Sequence, residues 1–200
     1  MPQFDLRGIK AAKYVNTGGS ISYTDKQAVG DAMTANLEMR FAEGRLYAES
    51  TLAEFMRKAT GGTISLGVKY IKTLAQKLLF GSADSTKSVS YIPVGSTVTA
   101  TASVTGLSLG AKSQAQYVGV AFYAPDMVDG VLKYTVAFAH KCLFGPPSMS
   151  LQTAGDSIVF NTPTTSGEFL ADDSTAQGML DVFTVDDENE AIALVDALLT

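Results

Sequence analysis

The sequence predicts a mainly β protein: two packed antiparallel sheets, a β-sandwich or partly open barrel, with a flanking α-helix and a short C-terminal helix. Three observations predict it. Residues 32–41 alternate strictly, Met33, Ala35, Leu37, Met39 and Phe41 against Thr34, Asn36, Glu38 and Arg40, the period of a half-buried strand. The pattern switches to a helical period only around residues 71–79 and near the C-terminus. Glycines and prolines, at Gly44, Gly61-Gly62, Gly81, Gly130, Pro146-Pro147 and Pro163, punctuate the rest.

Each element follows in order. After residues 32–41, a turn at Glu43-Gly44 leads into 45–50, and Gly61-Gly62 introduces a further strand over 63–68 with Ile64, Leu66 and Val68 on one face; glycine supplies the positive φ of such turns. Ile71, Leu74, Ala75, Leu78 and Leu79 recur at helical spacing, which predicts about three helical turns ended by Gly81. Residues 81–97 read as a surface loop, and Val98, Ala100, Ala102 and Val104 alternate as the strand that follows. Residues 116–124 and 131–143 flank Asp129-Gly130 as a long hairpin. Ile158 and Phe160 mark a short strand, which Pro163 ends or confines to an edge. A strand over 179–184 precedes a helix whose start, Asp187 with Glu190 three residues on, resembles a capping box. Its stripe of Ala191, Leu194, Val195, Leu198 and Leu199 is expected to pack on its own domain, docking on a neighbouring subunit being the alternative.

Composition bounds the function. Of the 200 residues, 46% are hydrophobic and 18% charged, enough apolar surface for an ordered fold. A net charge of −5 argues against gripping nucleic acid, which depends on clustered Lys and Arg. One cysteine, Cys142, makes no internal disulfide. The first ten residues hold neither a signal-peptide apolar run nor a membrane span, so a soluble protein made in the cytoplasm is expected.

No catalytic or metal constellation is expected, and no cofactor. GSADSTKS at 81–88 approaches a phosphate-binding loop but lacks the glycine before its lysine, and helix and strand stand in the wrong order around it. His140 and Cys142, two apart on a strand, are expected to share a face, yet zinc needs three or four ligands and no other His or Cys exists. His140 is the single imidazole, and no G-x-S-x-G elbow accompanies it. The acidic clusters at 172–173 and 186–188 lack calcium-loop spacing and read as capping or solvated surface. Lys69, Lys72 and Lys77 read as a solvated helix face, with no aromatic interleaving for single strands.

A series of motifs carries a resemblance. GIKAAKYV at 8–15, LEMRFAEGRLYAE at 37–49, ATGGTISLGV at 59–68, YIKTLAQKLLFG at 70–81, QYVGVAFY at 116–123, DGVLKYTVAFAHKCLF at 129–144 and GDSIVFNTPTT at 155–165 occur in an order that resembles the major tail proteins of long-tailed bacteriophages and prophages of Gram-positive hosts. The resemblance implies one tail-tube domain over 1–200, with an N-terminal arm at 1–10 and a C-terminal extension at 166–200. It implies hexameric rings stacked into a hollow tube for genome delivery. A ring of six would carry a formal −30, which keeps passing DNA from adhering. The implied partners are further copies of the chain, a tape-measure protein, a tail terminator and distal tail proteins; DNA crosses the lumen without specific binding, no membrane is involved, and the location is the virion tail.

Two sets of residues are expected at the interfaces. Glu38 and Arg40 are candidates for the lumen, a solvent-facing outer side being equally compatible with alternation. Phe4, Leu6 and Arg7 in the arm, and Leu52, Phe55 and Met56 in the turn-rich stretch 49–58, are candidates for ring stacking, the apolar ones as interface anchors; packing within the subunit is the alternative. Two rival functions remain: the inner tube of a contractile tail or secretion machine, and a monomeric β-sandwich binding module with a loop-borne site.

Overall fold

The computed structural model describes residues 5–48, 51–148, 153 and 162–200. The chain is mainly β, with two antiparallel sheets and two helices among the described residues. Strands β1 (Arg7–Thr17), β2 (Ser20–Ala28), β3 (Ala32–Ala48), β4 (Thr51–Val68), β7 (Val118–Val128), β8 (Val131–Phe144), β9 (Thr164–Leu170) and β10 (Leu180–Val185) form the large sheet, in the order β2-β1-β7-β8-β9-β4-β3 with β10 beside β8. Strands β5 (Ala83–Tyr91) and β6 (Ala100–Ser108) form a separate hairpin.

Strand β8 is the fold's corner. Its first half, 134–139, pairs with β10, and its last residues, 141–144, pair with β9. The sheet therefore divides into two walls, β2-β1-β7-β8-β10 and β8-β9-β4-β3, as sandwiches do when one strand serves both. Inward side chains of the walls, Ile9, Val118 and Val120 from one and Ile64, Leu66 and Phe169 from the other, join one cluster. Helix α1 (Thr73–Phe80) closes that cluster with Ala75, Leu79 and Phe80. The opposite face of β1, β7 and β8 forms a second cluster, Ala12, Ala121, Val136 and Phe138, covered by Ala191, Val195 and Leu199 of helix α2 (Glu188–Leu198) and its C-cap. Alternation explains the split: Ala11 and Ala12, or Phe138 and Ala139, enter different clusters because neighbours on a strand point oppositely.

The β7–β8 hairpin turns on Asp129-Gly130, both at positive φ (52° and 81°), as a two-residue type I′ turn requires. Helix α2 packs on its own domain, and the Asp187 carboxylate caps it by accepting from the Asn189 amide at 2.7 Å. That amide lies one residue earlier than the one a capping box closed by Glu190 uses.

Several expectations need correction. Gly44 makes no turn: it lies inside β3 opposite Met56. Gly61-Gly62 is likewise inside β4, where Thr60 is the extra residue of a bulge and Gly61 has φ 128°. A Cβ on Gly62 would lie 2.2 Å from the Phe169 ring and 2.3 Å from the Glu38 carbonyl oxygen. Close approach of β3 and β9 thus explains that glycine, a reading that sequence shares with a turn. Helix α1 is eight residues long, and Phe80 is buried where Leu74 was expected. The 81–97 loop is mostly strand β5, held by nine pairings to β6. The arm at 1–10 is too long, since β1 begins at Arg7 and Ile9 is in the core. The extension at 166–200 begins inside β9, a strand between β8 and β4. The expected strand at Ile158 and Phe160 lies outside the described residues, and Pro163 immediately precedes β9.

Candidate functional site

The pairing of β4 with β9 stops at Gly62, whereas β3 and β4 continue together to Ala48 and Thr51. Past Arg40, the eight β3 residues 41–48 pair with β4 alone, about 25 Å at ~3.3 Å per residue. Residues 41–47 of this arm are all exposed. Register sorts its side chains onto two faces. One carries Phe41, Glu43 and Arg45 opposite Ala59, Arg57 and Phe55. There the Arg57 guanidinium lies 3.9 Å from the Phe41 ring centre and Arg45 lies 5.6 Å from that of Phe55, with Glu43 between the two arginines at 3.4 and 3.5 Å. This ladder satisfies its own charges and stiffens the arm, each exposed cation–π contact being worth about 0.5–1 kcal/mol. The other face carries Ala42, Gly44, Leu46 and Met56, flanked by Glu54 and Lys58; Leu46 is 59% and Met56 74% exposed.

The predicted residues are distributed as follows. Phe55 and Met56 both lie on the arm, on opposite faces, and in a strand instead of the expected loop. The Leu52 backbone pairs with Tyr47, while its side chain, like all of Phe4, is outside the described residues. Leu6 is half-buried against the main core, so the intra-subunit alternative holds for it. Arg7 is engaged by Asp5 and, at 2.7 Å, by Glu188; its partners are on its own chain.

Glu38 and Arg40 share the outward face of the β3-β4-β9 wall. Across it run the rows Asn36, Ser65 and Ser166, and Glu38, Thr63 and Glu168, with Arg40 bridging to Glu168 at 2.8 Å. This face is hydroxyl and amide with paired charge, and it continues directly into the apolar side of the arm.

The β5–β6 hairpin is also two-faced. Lys87, Val89 and Tyr91 stand opposite Val104, Ala102 and Ala100, while Thr86, Ser88 and Ser90 stand opposite Thr105, Ser103 and Thr101. Val89, Tyr91 and Val104 are 45–55% exposed.

Sequence reasoning missed one polar cluster. His140 Nδ1 lies 2.9 Å from Asp172 Oδ2 and its Nε2 3.0 Å from Asp181 Oδ2, the carboxylate oxygens being acceptors for a ring N–H. Cys142 is in the main core instead, and the expectation of a shared face fails because a bulge intervenes: Val118 pairs with Cys142 but Val120 with Ala139. An extra residue reverses alternation. The two carboxylates occupy opposite ends of the ring, an arrangement for hydrogen bonding, not for chelation. Burial alone would push the Asp172 pKa up, but hydrogen bonds from the Ser174 hydroxyl and amide and from His140 outweigh it, leaving the carboxyl below the ordinary aspartate range. Burial pushes the Cys142 thiol up and keeps it protonated.

Among the described residues no helix is long and apolar enough to cross a membrane. No family model matches the chain, and no curated protein matches it significantly.

Proposed function

We propose that the chain is the structural subunit of a bacteriophage tail tube, assembling as stacked hexameric rings around a channel for genome delivery. The observation that carries the reading is the β3–β4 arm: a long hairpin with an apolar strip and no cover from the other described residues. A lone two-stranded hairpin is marginal in water, and an exposed apolar edge of this length invites another chain. Within the assembly, the arm spans the ring-to-ring contact, with Phe55 and Met56 as anchors. The polar wall that bears Glu38 and Arg40 faces the channel, where hydroxyl and paired charges offer DNA no fixed grip. Head-to-tail contacts of one surface against a different one close a ring or extend a helix, which suits a protruding arm that meets a receiving surface elsewhere on the next copy.

Electron microscopy of the purified protein, alone and with its tape-measure partner, tests the proposal. Hollow tubes with six subunits per turn are expected. Stable monomers under both conditions overturn it in favour of a binding module.

A further inference from the structure

The net charge conceals a segregation. Residues 171–200 hold eight of the 20 carboxylates and none of the 15 Lys and Arg, so they carry −8 while residues 1–170 carry +3. This segment, comprising β10 and α2, lies across β1, β2, β7 and β8, and the Lys and Arg it meets among the described residues are on β1, β2 and β8. Asp173 pairs with Lys141 at 2.8 Å, Asp186 with Lys133 at 2.8 Å and Glu188 with Arg7 at 2.7 Å. Asp196 sits between Lys10 and Lys26 at 2.7 and 2.9 Å, and His140 is held between Asp172 and Asp181.

The remaining attachment is modest. β10 contributes one ladder, to residues 134–139 of β8, and its Val182 is 60% exposed. Of the side chains α2 and its C-cap bury fully, Ala191 is small, leaving Val195 and Leu199 as the larger ones, with Val185, Leu194 and Leu198 half-buried beside them and Tyr14, Asn16 and Tyr123 donating to Asp173 and Glu188. By contrast, β4, β7 and β9 hold the main core from within the sheet.

We propose that residues 171–200 are a charge-latched strap, released as one unit and ahead of the sheet when its ion pairs are screened. Release bares the edge of β8 at 134–139 and a cationic surface on β1 and β2. Solvent-accessible pairs are individually weak and salt-sensitive, those of the more buried Lys10 and Lys141 less so, but together they act on one segment whose apolar anchoring is small beside that of the sheet, so screening them shifts a local opening and not the global one.

Hydrogen exchange on the full chain, compared at about 0.02 M and about 1 M NaCl, where the Debye length falls to ~3 Å, provides the test. Amides of β10 and α2 are expected to exchange roughly tenfold faster at high salt, while those of β4, β7 and β9 hold their protection. Unchanged exchange in β10 and α2, or an equal change throughout the sheet, overturns the proposal. A variant pair supplies a second arm. Lys10→Gln with Lys141→Gln is expected to speed exchange of 180–198 already at low salt and to blunt the salt response. Lys58→Gln with Lys112→Gln removes the same charge away from the strap and is expected to do neither; equal behaviour of the two double variants also overturns the proposal.

Discussion

Two glycines that look alike in sequence play different parts, and their substitution separates them. Gly44 has an ordinary φ and nothing within 4 Å of the site of an added Cβ. Gly62 has the buried Phe169 ring on one side and the Glu38 carbonyl on the other, and a backbone oxygen in a paired strand cannot retreat as a flexible side chain would. Gly62→Ala is expected to cost about 1–3 kcal/mol or more by overpacking, whereas Gly44→Ala is expected to be neutral or to stabilise by about 0.4–1 kcal/mol through the unfolded chain; urea unfolding of both variants measures the contrast. Asp172 gives the residue scale its pH dependence. Its pKa in the folded protein lies below the ordinary aspartate value, so the unfolded chain takes up the proton first as pH falls. The stabilisation is complete above pH ~4 and is lost as pH drops through the lower folded value. Unfolding free energies of the wild type and Asp172→Asn, measured from neutral pH downward, are expected to converge on the acid side; a constant gap would show that Asp172 contributes no proton linkage.

At the scale of elements, what was legible followed from local chemistry. The β7–β8 hairpin was readable because Asp129-Gly130 meets a stereochemical demand that few other dipeptides meet. The faces of β3 were readable because alternation is set by the pleat, and the C-terminal helix because its stripe and Asp187 cap agree. The misreadings share a different cause: each depends on a neighbour that is remote in sequence. Gly61-Gly62 signals a turn or a close approach equally well until β9, a hundred residues on, is placed beside it. The β5 strand, ADSTKSVSY, has a composition common to loops, and only its register against β6 makes Lys87, Val89 and Tyr91 one face. His140 and Cys142 part company through a bulge that spacing cannot reveal. Of the candidate residues, alternation made the shared face of Glu38 and Arg40 readable and apolar character marked Phe55 and Met56, and the four are exposed. Leu6 turned inward, and the cationic partners of the acidic C-terminal segment lie on three separate strands, so no local pattern pointed to them.

At the scale of the whole molecule, the arm decides whether the chain's stability and its assembly are separable. Its apolar strip, with Leu46 and Met56, joins no core cluster among the described residues, so polar replacements there leave those clusters intact. In a stacked assembly the same two side chains leave water, each worth about 1.5–3 kcal/mol if fully buried; repeated at every subunit of a ring, that loss raises the threshold concentration for growth steeply. Leu46→Ser with Met56→Ser is therefore expected to leave the thermal midpoint within about 2–4 °C of the wild type, the shift that ~1 kcal/mol produces in a domain of this size, while tubes vanish from micrographs and sedimentation shows monomers or free rings. Glu38→Gln with Arg40→Gln, on the same strand nearer the core, serves as the comparison, since a channel-lining pair contributes to what passes through and not to stacking, and tubes should persist. If the arm variant still forms tubes, the strip is not the stacking contact. If both variants lose them, the polar wall is itself an interface, and the assignment of that wall to the channel fails.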